Sequence, residues 1–185
     1  MVPLTALWLP VLLSAVIVFV ASSVMHMLLT YHRSDYRQLP DEDKLLAALR
    51  PAGLKRGLYF FPFGTHKEMK SPALIEKYKQ GPVGMLTALP SGPPVMPKFL
   101  GMWFAYCLII AFFVAYLTGR TVTPGAQYLA VFRVAGTAAF LAYGLGQLSN
   151  GIWKGQTWSA TLKEVSDGLV YGLLTAGTFG WLWPR

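Results

Sequence analysis

Ionisable side chains are scarce in the apolar parts of this chain, so the few that fall there are where chemistry is to be sought first. Arg133 interrupts the run Tyr128–Gly144, "YLAVFRVAGTAAFLAYG". His26 lies near the end of the first long apolar run and Asp167 near the start of the last. A charged group held in hydrocarbon costs several kcal/mol unless it finds partners or reaches the interface, and such residues mark ion pathways, proton relays or anchors. Arg133 lies about 10 Å below one surface at the helical rise. Ser14, Tyr116, Thr175 and Thr178 fall at a matching depth and could accept hydrogen bonds from its guanidinium; snorkelling to the headgroups would satisfy it as well. Asp167 belongs to the opposite end, too far for a direct pair with Arg133. His26 and Asp167, by contrast, share a depth and are expected to approach one another, either as a helix–helix hydrogen bond or as part of a proton relay.

Nothing else in the sequence carries recognisable chemistry. There is no H-E-x-x-H, G-x-S-x-G, Walker A or G-x-G-x-x-G segment. The three histidines do not recur on facing apolar runs, so no bis-histidine haem site is expected. His66 and Glu68 in "GTHKEM" form a lone pair without ligand spacing. Cys107, the only cysteine, sits inside an apolar run and reads as a small buried residue. No catalytic, cofactor-binding or metal-ligating residue is therefore assigned, and no cofactor is expected.

The elements that must position these residues are membrane helices. The chain has 185 residues, 54% of them hydrophobic, and only 13% charged where a soluble domain would carry about a quarter. Four runs are long enough for a bilayer core of roughly 30 Å: Leu7–Thr30, Phe99–Thr118, Ala126–Leu148 and Val165–Trp183. The first has no basic residue before it and no small-residue cleavage signal, so it reads as a retained helix. All six tryptophans fall at or near the ends of these runs, as aromatic belts do. The fold expected is an all-α integral membrane protein: a four-helix bundle with a small α/β insert between its first two helices. It divides into a first span (1–30), a basic insert (31–98) and the remaining three spans (99–185).

Charge sets the orientation. Eleven of the sixteen Lys and Arg residues lie between Tyr31 and Lys98, so the positive-inside bias puts the insert in the cytoplasm and both termini outside. The excess of base, a formal charge of +8, fits anionic lipid headgroups at the insert rather than nucleic acid. Within the insert, "LPDEDKLLAALRP" reads as a short amphipathic helix with Leu45, Leu46 and Leu49 as its buried stripe. "SPALIEKYKQG" reads as a second helix, with Ser71 as N-cap, Pro72 in the first turn and Gly81 past the end. "GLYFFPF" and "VGMLTAL" read as short strands. An insert of this size has little core of its own.

Two stripes of small residues offer helix-packing faces: Gly168, Gly172, Ala176 and Gly180 in the fourth run, and Ala138, Ala142 and Gly146 in the third. Either the two stripes meet each other or one is a homo-oligomer or partner interface. The runs "YHRSDYRQLPDEDKLLAAL", "KYKQGPVG" and "GLLTAGTFGWLWP" resemble a group of small bacterial inner-membrane proteins of uncharacterised activity. That resemblance implies four spans in a bacterial cytoplasmic membrane and no activity. The expected function is non-enzymatic, an accessory, assembly or scaffold subunit of a membrane complex. The alternative is a small transporter or permease using Arg133, or His26 and Asp167; a lipid-acting membrane enzyme using Glu68 or His66 comes third.

Overall fold

The computed structural model describes residues 1–185, which form two compact units: Met1–Tyr36 with Val95–Arg185, and Arg37–Pro94. The elements in chain order are α1 (Trp8–Ser23), α2 (Glu42–Leu49), β1 (Gly57–Phe61), α3 (Pro72–Gln80), β2 (Gly84–Ala88), α4 (Met96–Thr121), α5 (Tyr128–Tyr143), α6 (Leu148–Trp153) and α7 (Trp158–Trp181).

The first unit is a bundle. A 3-10 turn before α1 and a π-helical turn after it, Val24–Leu28, extend the first helical stretch to Leu4–Leu28. Three stretches are long and apolar enough to cross a membrane: Leu4–Leu28, Met96–Thr121 and Tyr128–Trp153. Helix α7, with 24 residues, has the length but not the hydropathy. Lys163, Glu164 and Asp167 near its start, and the glycines along its packing face, dilute it. Apolar residues are needed only where a helix meets lipid, and α7 is among the most buried of the helices. The long helices form a ring in chain order, α1 against α4, α4 against α5, α5 against α7, and α7 back against α1. At one end Val2 N–H donates to Gly119 O and Gly125 N–H to Pro184 O, which ties the start of α1, the end of α4 and the end of α7 into one layer.

The core between them is built largely from small and medium side chains, among them Val18, Cys107, Val114 and Val131, with Phe179 its largest fully buried one. Large apolar side chains such as Leu9, Leu12, Ile109 and Phe113 face outward, the pattern of helices solvated by lipid tails. Four tryptophans, Trp8, Trp153, Trp158 and Trp181, are exposed at helix ends. Trp103 and Trp183 depart from the belt: Trp103 Nε1 donates to Ser22 Oγ at 2.8 Å, and the buried Trp183 donates to Thr123 O at 2.9 Å. Both indoles spend their single donor on a neighbouring element.

The second unit pairs β1 and β2 antiparallel, Gly57 opposite Ala88 and Phe61 opposite Gly84. Ser71 caps α3, its Oγ accepting from Leu74 N–H at 3.3 Å. Leu74 is this unit's one buried apolar side chain, seated over Gly64, where any Cβ would meet it at 2.3 Å. The expected leucine stripe of α2 is not buried: Leu45 and Leu46 are both exposed and Leu49 only half-buried. A two-stranded sheet and two short helices offer too little surface to cover it.

Candidate functional site

Asp167 is the chemical centre of the bundle. It sits in the third turn of α7, 3% exposed, and its carboxylate is surrounded by residues from the end of α1 and the turn that follows. Tyr31 donates its hydroxyl to Oδ1. His32 Nε2 lies 2.7 Å from Oδ2, and His26 Nε2 lies 3.8 Å from the same oxygen. The two imidazoles stack, with ring centroids 4.4 Å apart and planes within 14°.

Local backbone geometry produces this convergence. The π-helical turn Val24–Leu28 widens the last turn of the first span, and Leu29 then leaves the helix with an extended backbone. An inserted π turn shifts side chains off the 3.6-residue face and is a frequent device at functional sites. His26 Nδ1 is held by Ser22 O at 3.0 Å. After the break a 3-10 turn, Tyr31–Asp35, folds back over α7, where His32 Nδ1 meets Asp35 Oδ2 at 2.6 Å. Lys163, one turn before Asp167, fixes the turn: its Nζ donates to Tyr31 O at 2.6 Å, Ser34 Oγ at 2.8 Å and Asp35 Oδ1 at 2.6 Å.

The charges in this turn reinforce one another. Burial disfavours the His32 imidazolium, but hydrogen bonds to Asp35 and Asp167 outweigh it and hold its pKa above the ordinary histidine value. Burial likewise opposes the Asp35 carboxylate, yet Lys163 and then His32 bring its pKa below the usual range. Burial first, then the hydrogen bond to Asp167, pushes the Tyr31 hydroxyl well above its ordinary value, so it stays a neutral donor.

A cavity of about 470 Å³ opens beside this cluster. Its apolar wall includes Met27, Met96, Phe99, Leu100 and Trp103, and its polar side is formed by His26, Gln147, Glu164, Asp167 and Tyr171. Two of the lining residues, Tyr171 and Glu164, each carry a side-chain oxygen, Oη and Oε2, that is buried without a hydrogen-bond partner in the protein. Buried polar groups are almost always satisfied, so two such atoms on residues that line one cavity mark a place where something polar belongs.

The other residues singled out in the sequence fall elsewhere. Arg133 is exposed on the outer face of α5 and meets none of the four acceptors at its depth. Ser14, Thr175 and Thr178 bond instead to Val11 O, Tyr171 O and Leu174 O of their own helices, and Tyr116 faces Arg120, 5.6 Å from its ring centre. The α7 stripe lies against α5: a Cβ at Gly168 would stand 2.3 Å from Gly144 Cα, and one at Gly172 would stand 3.2 Å from Phe140 N. Gly180 covers the Tyr128 ring, and Ala176 meets Gly136. The α5 face is thus Gly136, Phe140 and Gly144; Ala142 and Gly146 are exposed and Ala138 half-buried. The Glu68 side chain bonds only to Thr65. Tyr31, His32, Asp35 and Lys163 had no place among the sequence candidates; the one local sign of them is the His-x-x-Asp spacing of His32 and Asp35 just past an apolar run.

Compared with protein-family models, with curated proteins and with solved structures, the chain matches none.

Proposed function

We propose that this chain is a four-span protein of a bacterial inner membrane, with both termini outside and residues 31–98 in the cytoplasm, and that it works by binding a small amphiphile. Eleven basic residues in the 31–98 segment support the orientation, and α7, flanked on both sides by apolar spans, supports the fourth crossing. Labelling of a cysteine placed at Lys70 in a Cys107→Ala background tests the topology, since only reagent admitted to the cytoplasm should reach it.

The observation that carries the binding reading is the pair of unpartnered polar atoms, Tyr171 Oη and Glu164 Oε2, on residues that line a cavity with apolar side chains as well. Tyr171 offers a donor and Glu164 an acceptor to a polar head, while Phe99, Leu100 and Trp103 line a path for an apolar tail. The volume is in the range of pockets that enclose small-molecule ligands. The test is the mass spectrum of the full chain purified in mild detergent, wild type beside Ser23→Phe, which fills the cavity from its α1 wall. One class of amphiphile held at about one per chain by the wild type alone supports the reading; a bound-lipid profile equal to that of the variant and of the bulk membrane refutes it.

A second reading, an accessory or assembly subunit, is favoured by the second unit. Leu58, Phe63 and Leu89 there are 63%, 77% and 74% exposed, more apolar surface than so small a unit leaves bare without a partner or a membrane surface. A stoichiometric protein that co-purifies with the wild type and is lost in Phe63→Ala would support it.

A further inference from the structure

We propose that His26, His32 and Asp167 form a binding site for a divalent first-row transition-metal ion, with both Nε2 atoms and Oδ2 as its ligands. The three residues offer ligand atoms that all lie within 4.8 Å of one another. An ion with bonds of roughly 2.0–2.2 Å in a tetrahedral shell holds its ligand atoms about 3.3–3.6 Å apart. The present separations from Oδ2, 2.7 Å for His32 and 3.8 Å for His26, bracket that value. Coordination requires side-chain rotation to reach it, with a tilt that opens the stacked rings so that each plane contains the ion.

The outer hydrogen bonds orient all three ligands inward. The Nδ1 atom of His26 faces a carbonyl oxygen, Ser22 O, which can only accept. Nδ1 therefore carries a hydrogen, and the ring presents its Nε2 toward the carboxylate. His32 repeats the arrangement with Asp35 as its acceptor, and Lys163 holds Asp35 in turn. Histidines that ligate metals donate their other nitrogen to a carbonyl or carboxylate in this way. Tyr31 occupies Oδ1, which leaves Oδ2 facing two imidazole nitrogens. Acceptors that converge like this need a cation between them, a proton or a metal. Two imidazoles and one carboxylate without thiolate suit Zn²⁺, Fe²⁺ or Mn²⁺ rather than Cu⁺, and because His26 and Asp167 line the cavity, a further coordination position opens onto it.

The test uses the full chain, purified through a tag without histidine, stripped with chelator and titrated with Co²⁺ and then Zn²⁺. One Co²⁺ per chain is expected, with the visible absorption of a four- or five-coordinate ion, displaced by Zn²⁺. His26→Ala, at a largely exposed ring, should weaken binding at least tenfold. Asp35→Asn keeps all three ligands and should weaken it by about 10–100-fold. Wild type that takes up no Co²⁺, or takes it up no better than His26→Ala, overturns the proposal and leaves the proton as the cation. Filling the cavity with Ser23→Phe should leave Co²⁺ uptake in place, so the amphiphile reading and the metal site fail separately.

Discussion

Replacing Gly168 by alanine should loosen the bundle at its tightest helix contact. A Cβ there would lie 2.3 Å from Gly144 Cα, 2.5 Å from Gly144 N and 2.7 Å from Tyr143 C. These are backbone atoms, so no side chain can swing aside; α5 and α7 must separate by roughly 1 Å or more to restore ordinary contact. Overpacking of this kind costs about 1–3 kcal/mol, offset by up to about 1 kcal/mol from alanine's helix preference. The control is Gly101→Ala in the second turn of α4, on its outer face, where an added Cβ meets nothing within 4 Å and only the gain of up to about 1 kcal/mol applies. The same chemical change should therefore have opposite signs at the two sites, about 2 kcal/mol apart, which is more than tenfold in the folded-to-unfolded ratio. Cys107 supplies the assay: it is the only thiol and fully buried, so a maleimide dye reacts only as the bundle opens on heating. Gly168→Ala should melt below wild type and Gly101→Ala at or above it. Because Asp167 adjoins Gly168, the first variant should also bind Co²⁺ more weakly. A Gly168→Ala protein that melts with or above Gly101→Ala would refute the close-approach argument.

Arg133→Leu should leave the Cys107 melting point unchanged or raise it, since the guanidinium is exposed and gives up no partner within the chain while a charge is removed from an apolar face; a fall of several degrees would mean that a second copy or another protein satisfies it. Ser71→Ala should cost about 1 kcal/mol at the start of α3, seen as roughly fivefold faster exchange of the Leu74 amide that Ser71 Oγ now accepts; unchanged exchange would show that the cap contributes nothing. Glu68 should titrate below an ordinary glutamate, because the Thr65 hydroxyl and then the Thr65 amide bond its ionised form at 2.7 and 2.9 Å. Its folded-state pKa is lowered, so whatever it adds to the turn is present above the unfolded value and lost as pH falls through the folded one; a titration followed on Thr65 by NMR that shows no such depression would remove the bond.

The helices were legible because lipid and core impose different demands on the same residue. Where α1, α4 and α5 face outward, most positions are apolar, with Arg133 a charged exception, and hydropathy registers that directly. Helix α7 shows the limit of that signal: Gly168, Gly172 and Gly180 are there to let α5 approach, and the closer a helix packs among others the less apolar it has to be. Small residues alone also misplaced its partner face. A stripe of Ala138, Ala142 and Gly146 looks like a groove, but the structure uses Gly136, Phe140 and Gly144. It is Phe140's backbone and Cβ, not its ring, that meet Gly172, so a large residue stands in a small-residue interface without blocking it.

The site was half legible for a related reason. His26 and Asp167 stand out because each interrupts an apolar run at the same depth, and the cost of an unpaired charge there already demands a partner. Tyr31, His32 and Asp35 carry no such mark, since they follow the run and merge with the basic segment after it. What returns them to Asp167 is a change of helix type: a π turn that aims His26 inward, an extended residue at Leu29, and a 3-10 turn whose carbonyl and carboxylate Lys163 clamps from α7. None of these has a period in the sequence. Three departures from regular geometry within twelve residues, Val24 to Asp35, bring the partners of one carboxylate together, and hydropathy, which reads regular periods, registers none of them.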